Sequence, residues 1–343
     1  MVLVGWRKTG SMSVGREWHT ASLLINGKVF VTGGNYNLTT DLSSAELYDP
    51  LTETWTTTDS MSFERRRHTA VVLKDGKVLV AGGRNTDFSL YAVELFDPST
   101  GFWKIIDAMK TARDGHTASI LTNGKVLVTG GTTNLVPTKT AELYDPLNKK
   151  WRRTGSMRDA RSGHTASVLS DGLVLVTGGY NDVMMLKTAE LYDPATELWT
   201  TTGNMNGVRY LHTACLLTNR KVLVIGGYIG SSELNSAELY DPLTGTWTLV
   251  ASMSKARQFH TATVLTNGNV LVTGGLGQGS ITNSVELYNP STDSWSMTKS
   301  MNDAREWHTA TLLANGNVLV TGGAFHGDPF NSSDLYYSDE TNY

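Results

Sequence analysis

Short runs of alternating or β-branched apolar residues, bounded by glycine, proline, asparagine and aspartate, follow one another along the whole chain. One stretch shows the order, with residues 116–121, 125–129 and 141–144 followed by Trp151. Such runs are typical of β-strands that are buried on one or both faces. The pattern therefore predicts four short strands in succession, named A, B, C and D below.

This unit of four strands repeats in fixed register. The motif His-Thr-Ala occurs seven times, at a spacing of 49 residues once and 48 residues five times. A tryptophan precedes each of these histidines by 13 residues, and a Gly-Gly doublet follows each by 14. Three motifs that recur with the same period and at fixed distances from one another predict a tandem structural repeat. The histidines are His19, His68, His116, His164, His212, His260 and His308.

The turns between strands A and B carry Asn-Gly or Asp-Gly, as at Asn26-Gly27 and Asp75-Gly76, and only the fifth unit differs, with Asn219-Arg220. This pair favours a type I′ hairpin, which needs positive φ at both central residues. An Asp-Pro or related pair closes strand C and leads into strand D.

The Gly-Gly doublet, the Glu-Leu-Tyr-Asp-Pro run and the phased tryptophan resemble the kelch family, whose repeat has about 50 residues. The resemblance covers nearly the whole chain. The form His-Thr-Ala-x-x-Leu-x-Asn-Gly-x-Val-Leu-Val-Thr-Gly-Gly is most similar to the repeats of galactose-oxidase-like proteins. The resemblance implies an all-β fold, a seven-bladed β-propeller with four antiparallel strands per blade, formed by residues 1–343 as one domain.

The two ends of the chain complement each other. The seventh unit stops after strand C and has no tryptophan, whereas the first residues supply an additional strand D around Trp6. We therefore expect the N-terminal strand to become the outer strand of the last blade, because closure removes the exposed edges of an open array.

Charge and composition exclude some classes of binding partner. The formal net charge is −3, so no overall field attracts nucleic acid or an anionic membrane. No apolar run approaches the ~18 residues of a membrane span, and Cys215 is the only cysteine, so no intrachain disulfide forms. The segment from Met1 to Trp6 shows no signal peptide. We expect a soluble monomer, cytoplasmic, or secreted if a leader has been removed.

The order of strands assigns the loops to two faces. The B–C and D–A loops share one face, and the short, nearly identical A–B and C–D turns share the other. The B–C segments and the two residues before each histidine vary from unit to unit. Variation on one rim of a constant scaffold is typical of recognition loops, although drift of an unconstrained surface is the alternative.

Aromatic and arginine side chains dominate binding energy where they lose water. We therefore predict a ligand site at the mouth of the central channel, with Trp18, Arg66, Arg67, Tyr210, Phe259 and Trp307 as anchors. The side chains expected to orient the ligand by hydrogen bonds are Glu17, Asp114, Gln258 and Glu306.

The repeated polar residues are interpreted as structural. Seven equivalent histidines around a ring cannot converge on an ion at a Zn–N distance of about 2.0–2.1 Å, so each is expected to satisfy backbone groups. An arginine three residues before each histidine and an acid in each strand C occur in equal numbers. They predict a repeated ion pair.

No catalytic motif is present, so we expect neither a cofactor nor a metal. Cys215 is interpreted as a small filler of an inner strand, because the tyrosine and histidine copper ligands of galactose oxidases find no match here. Glu17 and Glu306, each beside a tryptophan in neighbouring units, are a pair of carboxylates of the kind used in glycoside hydrolysis. The alternative, which we favour over catalysis, is that the first and seventh units are close duplicates.

Three functions remain open. The first is a non-catalytic binding module for a peptide, protein loop or glycan. The second is an enzyme acting on a carbohydrate or small molecule at the same mouth. The third is a regular scaffold, natural or engineered, without a ligand.

Overall fold

A computed structural model describes residues 5–37 and 39–337. The predicted absence of a signal peptide concerns in part residues 1–4, which lie outside the described residues. In this part of the chain the structure forms seven four-stranded antiparallel sheets, and the order of strands in each sheet is A-B-C-D. No helix in the described ranges is long and apolar enough to cross a membrane.

The strands A to D of each blade have the following bounds. The first blade has Thr20–Leu23, Val29–Thr32, Ala45–Asp49 and Thr54–Thr57, and the second has Thr69–Val72, Val78–Ala81, Val93–Asp97 and Phe102–Ile105. The third has Thr117–Ile120, Val126–Thr129, Ala141–Asp145 and Lys150–Arg153, and the fourth has Thr165–Val168, Val174–Thr177, Ala189–Asp193 and Leu198–Thr201. The fifth has Thr213–Leu216, Val222–Ile225, Ala237–Asp241 and Thr246–Val250. The sixth has Thr261–Val264, Val270–Thr273, Val285–Asn289 and Ser294–Thr298.

The seventh blade closes the ring. Its strands A to C are Thr309–Leu312, Val318–Thr321 and Ser333–Tyr337, and its strand D is the N-terminal segment Gly5–Thr9. Trp6 stands opposite Tyr336 in this pairing, and its indole Nε1 donates to the Lys299 carbonyl at 2.8 Å. The predicted closure by the N-terminal strand is confirmed.

Four of the B–C segments form short hairpins of their own. Their strands are Asn35–Asn37 with Thr40–Asp41, Thr132–Thr133 with Val136–Pro137, Leu276–Gly277 with Ser280–Ile281, and Ala324–Phe325 with Asp328–Pro329.

The apolar core lies between blades. Every residue of every strand B is buried, because both of its faces pack on a neighbouring sheet. Seven apolar clusters fill the seven junctions between adjacent blades. One of them joins Leu79 and Val93 of the second blade to Val126, Tyr144 and Trp151 of the third. Cys215 is buried in the cluster between the fifth and sixth blades.

An arginine–carboxylate pair is buried in each blade, as the repeat predicts. The arginine precedes strand A, the acid lies in strand C of the same blade, and the N–O distances are 2.7–3.2 Å. In the third blade Arg113 also donates to the Gly130 and Thr140 carbonyls, while Glu142 accepts the backbone N–H groups of Lys110 and Thr111. Each ion pair therefore ties the D–A loop to the sheet.

The repeated histidines join neighbouring blades. Each Nε2 lies 2.9–3.2 Å from the hydroxyl of the threonine that opens strand A in the preceding blade. The expected backbone groups take part as well, since hydrogen bonds with the backbone of Arg16 and Arg113 partly offset the lowering of the pKa of His19 and His116 by burial. The first glycine of each doublet makes room for this ring, since a Cβ at Gly130 would lie 2.7 Å from His164 Cε1.

The A–B turns are not type I′, so that prediction is wrong. The glycines have φ of 81–89°, but the preceding asparagine or aspartate does not have positive φ. At Asn26 the side-chain Oδ1 instead accepts the backbone N–H of Lys28 at 3.1 Å. The loop is therefore of the longer kind, in which a turn is followed by one left-handed residue.

Candidate functional site

The D–A and B–C loops meet on one face of the ring. The residue two positions before each histidine pairs through a β-bridge with the residue that follows the Gly-Gly doublet, as in Glu17 with Asn35 and Asp114 with Thr132. These bridges extend each blade beyond strands A and B and bring the variable segments together around the channel.

The residues directly before the histidines occupy equivalent positions around the channel, and we name this set the mouth ring. All seven have φ of 52–58°, and five donate their backbone N–H to the carbonyl of the corresponding residue in the preceding blade at 3.0–3.5 Å. The backbone thus holds their side chains in a common direction around the channel. The mouth ring consists of Trp18, Arg67, Gly115, Gly163, Leu211, Phe259 and Trp307.

Five members of the mouth ring carry side chains in a conformation that suits glycine. A left-handed residue with a Cβ costs roughly 1–2 kcal/mol, and bulky residues in this region are uncommon. The third and fourth blades carry Gly115 and Gly163 at the same position. Glycine therefore fits this backbone, and the other five blades retain strain.

The aromatic members of the mouth ring pack on one another. The Trp307 ring lies 4.7 Å from Trp18 and 4.8 Å from Phe259 between centroids, at tilts of 50° and 54°. The Arg67 guanidinium lies 4.9 Å from the Trp18 ring centroid, within the range of a cation–π contact. The predicted exposed rim is therefore half-buried, because its aromatic side chains cover each other.

A cavity of about 280 Å³ opens where the mouth ring lacks side chains. Gly115 and Gly163 form its floor, and the aromatic side chains of the ring form one wall. The Tyr210 ring lies across Gly163, since a Cβ on that glycine would fall 2.2 Å from Tyr210 Cε2. The polar residues in the lining include Arg67, Asp114, Thr132 and Ser162.

Asp114 and Arg67 differ in their exposure to solvent and in their contacts. Asp114 is 2% exposed and accepts a hydrogen bond from Ser89 Oγ at 2.8 Å. The Arg67 side chain is exposed to solvent. Burial lowers the Arg67 pKa, and the charge of Asp114 opposes that shift.

Glu17 and Glu306 are buried and influence each other. They are 1% and 5% exposed, and one oxygen of each, Oε2, has no hydrogen-bond partner among the residues that the structure describes. Burial raises the pKa of Glu17 to about 7 against the opposing charges of Arg66 and Arg67. Burial also raises the pKa of Glu306 to about 7, and the nearby charge of Glu17 adds to the effect.

Of the ten predicted ligand contacts, six line the cavity: Trp18, Arg67, Asp114, Tyr210, Phe259 and Trp307. Glu17 and Glu306 lie outside its lining. Arg66 forms an ion pair with Asp41, and Gln258 Nε2 donates to Glu233 Oε1 at 3.4 Å, so both have partners within the protein. All ten residues remain predictions as ligand contacts.

The sequence reasoning overlooked the two glycines that create the cavity. Gly115 and Gly163 break a series of large side chains at one repeat position, and that interruption is the signal that points to them. Within residues 5–37 and 39–337, no group of three or more His, Cys, Asp or Glu side chains could hold a metal ion.

Comparison with known proteins places the chain in a family. A search among curated proteins found no match. A solved structure, titled as a novel fungal alcohol oxidase with catalytic diversity among the AA5 family, in complex with copper, superposes with a TM-score of 0.82 at 19% identity. The match covers 99% of this chain and 78% of that one, and at this identity it shows the fold alone. The family described as KLHDC2/KLHL20/DRC7 Kelch-repeats domain matches residues 5–179 and 163–342. The chain therefore belongs to the kelch-repeat family of β-propellers.

Proposed function

We propose that this kelch propeller is a non-catalytic binding module whose ligand, a peptide, a protein loop or a glycan, binds at the channel mouth. The observation that carries the proposal is the strain in the mouth ring. Five large side chains occupy a backbone conformation that glycine adopts at lower cost, and the third and fourth blades carry glycine there. Such strain concentrates at ligand clamps and similar functional positions.

The loops around the mouth support the same proposal. Six B–C segments carry an apolar side chain that is 37–80% exposed, which we name the apolar crown: Tyr36, Phe88, Leu135, Val183, Ile229 and Phe325. Exposed apolar side chains grouped around one opening are typical of an interaction surface. A scaffold without a ligand would need neither the strain nor the crown.

The enzyme alternative has less support. Its candidate acid and base, Glu17 and Glu306, lie outside the lining of the cavity. The alcohol oxidase is similar in fold, at 19% identity, and its activity stays a property of that protein.

The experiment combines a ligand search with a reporter at the mouth. The chain has nine tryptophans, and two of them, Trp18 and Trp307, belong to the mouth ring. Wild-type protein is screened against a glycan array and a displayed peptide library, and each hit is titrated by tryptophan emission. The same titration is run with the double variant Trp18→Phe/Trp307→Phe, which keeps aromatic packing and removes the two reporters.

A ligand at the mouth changes the emission of the wild type and leaves that of the double variant nearly constant. An unchanged response in the double variant would place the ligand elsewhere. A complete lack of hits in both libraries would contradict the proposal.

A further inference from the structure

We propose that the gap above Gly115 and Gly163 is a subsite for one ring of a neutral polyhydroxylated ligand, the terminal sugar of a glycan. This inference rests on the proposed binding function and narrows its ligand class. Four features of the cavity support it: its size, its aromatic wall, its hydrogen-bonding groups and its charge balance.

The size of the gap fits a single small ring. The cavity measures about 280 Å³, just below the range of about 300–1,000 Å³ for drug-sized ligands. A Cβ added at Gly115 would meet no atom within 4 Å, so the space above that glycine is open. Tyr210 closes the side over Gly163.

The aromatic wall offers a continuous apolar surface made of rings tilted against one another. Phe259, Trp307 and Trp18 pack in sequence with centroid distances below 5 Å. A sugar ring is amphipathic, because its C–H groups form an apolar face while its hydroxyls point outward. Indole and phenyl faces provide the matching apolar area.

The polar groups of the lining require both donors and acceptors from a ligand. The carboxylate oxygens of Asp114 accept hydrogen bonds, Arg67 only donates them, and the hydroxyls of Ser162 and Tyr210 do both. Ser89 Oγ holds one oxygen of Asp114. The Arg67 guanidinium lies over the Trp18 ring, 4.9 Å from its centroid. Hydroxyl groups satisfy all of these residues at once.

The charges near the mouth balance. Three arginines, Arg66, Arg67 and Arg84, act on one another and on the acids of the mouth. The facing acids are Asp41, Asp114, Glu17 and Glu306. In the lining of the cavity itself, Arg67 is the one guanidinium and Asp114 the one carboxylate, so their charges offset each other. A charged ring would be attracted by one of these two groups and repelled by the other, so a charge on the ring gains little, and we infer a neutral ring.

The test compares ligands of one shape and different charge. Glycans ending in glucose, galactose or mannose are compared on an array with glycans ending in glucosamine or glucuronic acid, and hits are measured by calorimetry. At least one neutral series should bind at least tenfold more tightly than its amino and acid counterparts. Tighter binding of the glucuronic acid series or of the glucosamine series would overturn the inference.

Two variants and a control locate the binding. Gly115→Leu introduces the side chain that Leu211 already carries at the same ring position, and it should weaken neutral glycans at least tenfold. Asp114→Asn preserves shape, removes the charge and should also weaken them about tenfold. Leu147→Ala, at a 95% exposed position on the opposite face, should leave affinity unchanged.

Wild-type affinity in both Gly115→Leu and Asp114→Asn would overturn the inference even if glycans bind. If peptides bind and depend on Trp18 and Trp307 while no glycan binds, the sugar subsite is wrong and the proposed function stands. If neither class binds, both proposals fail.

Discussion

At the scale of single residues, backbone conformation explains which positions accept a side chain. Left-handed φ recurs at the A–B turns and at the mouth ring. Glycine occupies six of the seven turn positions but only two of the seven ring positions. The turns therefore follow the conformational preference of glycine, whereas the mouth ring departs from it where the proposed ligand site lies.

Arg220 is the exception among the turns and provides a direct measure of this cost. It has φ of 68° at the position where the other blades carry glycine, and its side chain is exposed. Arg220→Gly should raise the free energy of unfolding by about 1 kcal/mol, because the strain is relieved and no contact is lost. Urea denaturation measures the change. The reciprocal control, Gly172→Ala, should lower stability by a similar amount, and a neutral Arg220→Gly would show that the turn carries no strain.

Glu17 and Glu306 should make stability depend on pH near neutrality. Folding raises the pKa of each to about 7 from an ordinary value of 4.5. The folded protein therefore holds more protons than the unfolded chain between these values, so stability falls as pH rises through this interval. Glu306→Gln removes one such group and should be more stable than the wild type at pH 8 by up to about 3 kcal/mol.

The free energies of unfolding of variant and wild type are compared at pH 8 and at pH 5. The gain should be several times smaller at pH 5, which lies close to the ordinary pKa of 4.5. Burial lowers the pKa of the seven repeated histidines, which gives stability that is lost as pH falls below 6.5. That opposite trend is common to both proteins and cancels. The exposed substitution Asp87→Asn should give no difference at either pH, and an equal gain for Glu306→Gln at both pH values would contradict the assigned pKa.

At the scale of the blade, the repeat motifs each satisfy a specific contact. The buried arginine–acid pair, the tryptophan of strand D and the Gly-Gly doublet were predictable as structural from their equal spacing. The residues that these motifs contact were less predictable. The histidine meets a threonine hydroxyl of the preceding blade, and its ring fills the space that the first glycine leaves. Contacts between blades depend on the angle at which sheets pack, which a one-dimensional pattern does not contain.

Substitutions of Trp151 and Trp18 test the distinction between the core of a blade and the mouth of the channel. Trp151 is 3% exposed and packs on Tyr144 at 5.2 Å between ring centroids. Trp151→Ala should lower the free energy of unfolding by about 3–5 kcal/mol, the range for truncating a buried aromatic side chain. Trp18→Ala, at a half-buried position with left-handed φ, should cost clearly less. Equal destabilisation by the two changes in urea denaturation would invalidate the distinction.

At the scale of the whole molecule, closure of the ring depends on the first strand. Deleting residues 1–10 removes the partner of Ser333–Tyr337 and takes Trp6 from the cluster between the sixth and seventh blades. The unpaired edge should cause a large fall in melting temperature or aggregation. Thermal unfolding with light scattering measures both, and an unchanged melting temperature would contradict the closure.

The fold was predictable from the sequence almost completely, whereas the site was predictable only in part. Seven copies of one motif establish the architecture, and the missing tryptophan of the seventh unit indicates where Trp6 belongs. The cavity is formed by the absence of side chains at Gly115 and Gly163. A search for large side chains that could anchor a ligand does not detect positions that lack a side chain. The burial of Glu17 and Glu306 likewise depends on how large side chains of the mouth pack around them.

The central claim is that the face with the D–A and B–C loops carries the binding site. The most direct measurement is the affinity of one ligand from the array or peptide screen for the double variant Trp18→Ala/Trp307→Ala. It is compared with Asn123→Ala and Asn267→Ala in the turns of the opposite face, with folding checked by thermal unfolding. The double variant should bind at least tenfold more weakly, a loss of about 1.4 kcal/mol, and the turn variants should bind as the wild type does. Loss of binding in the turn variants together with full affinity in the double variant would show that the functional face is the opposite one.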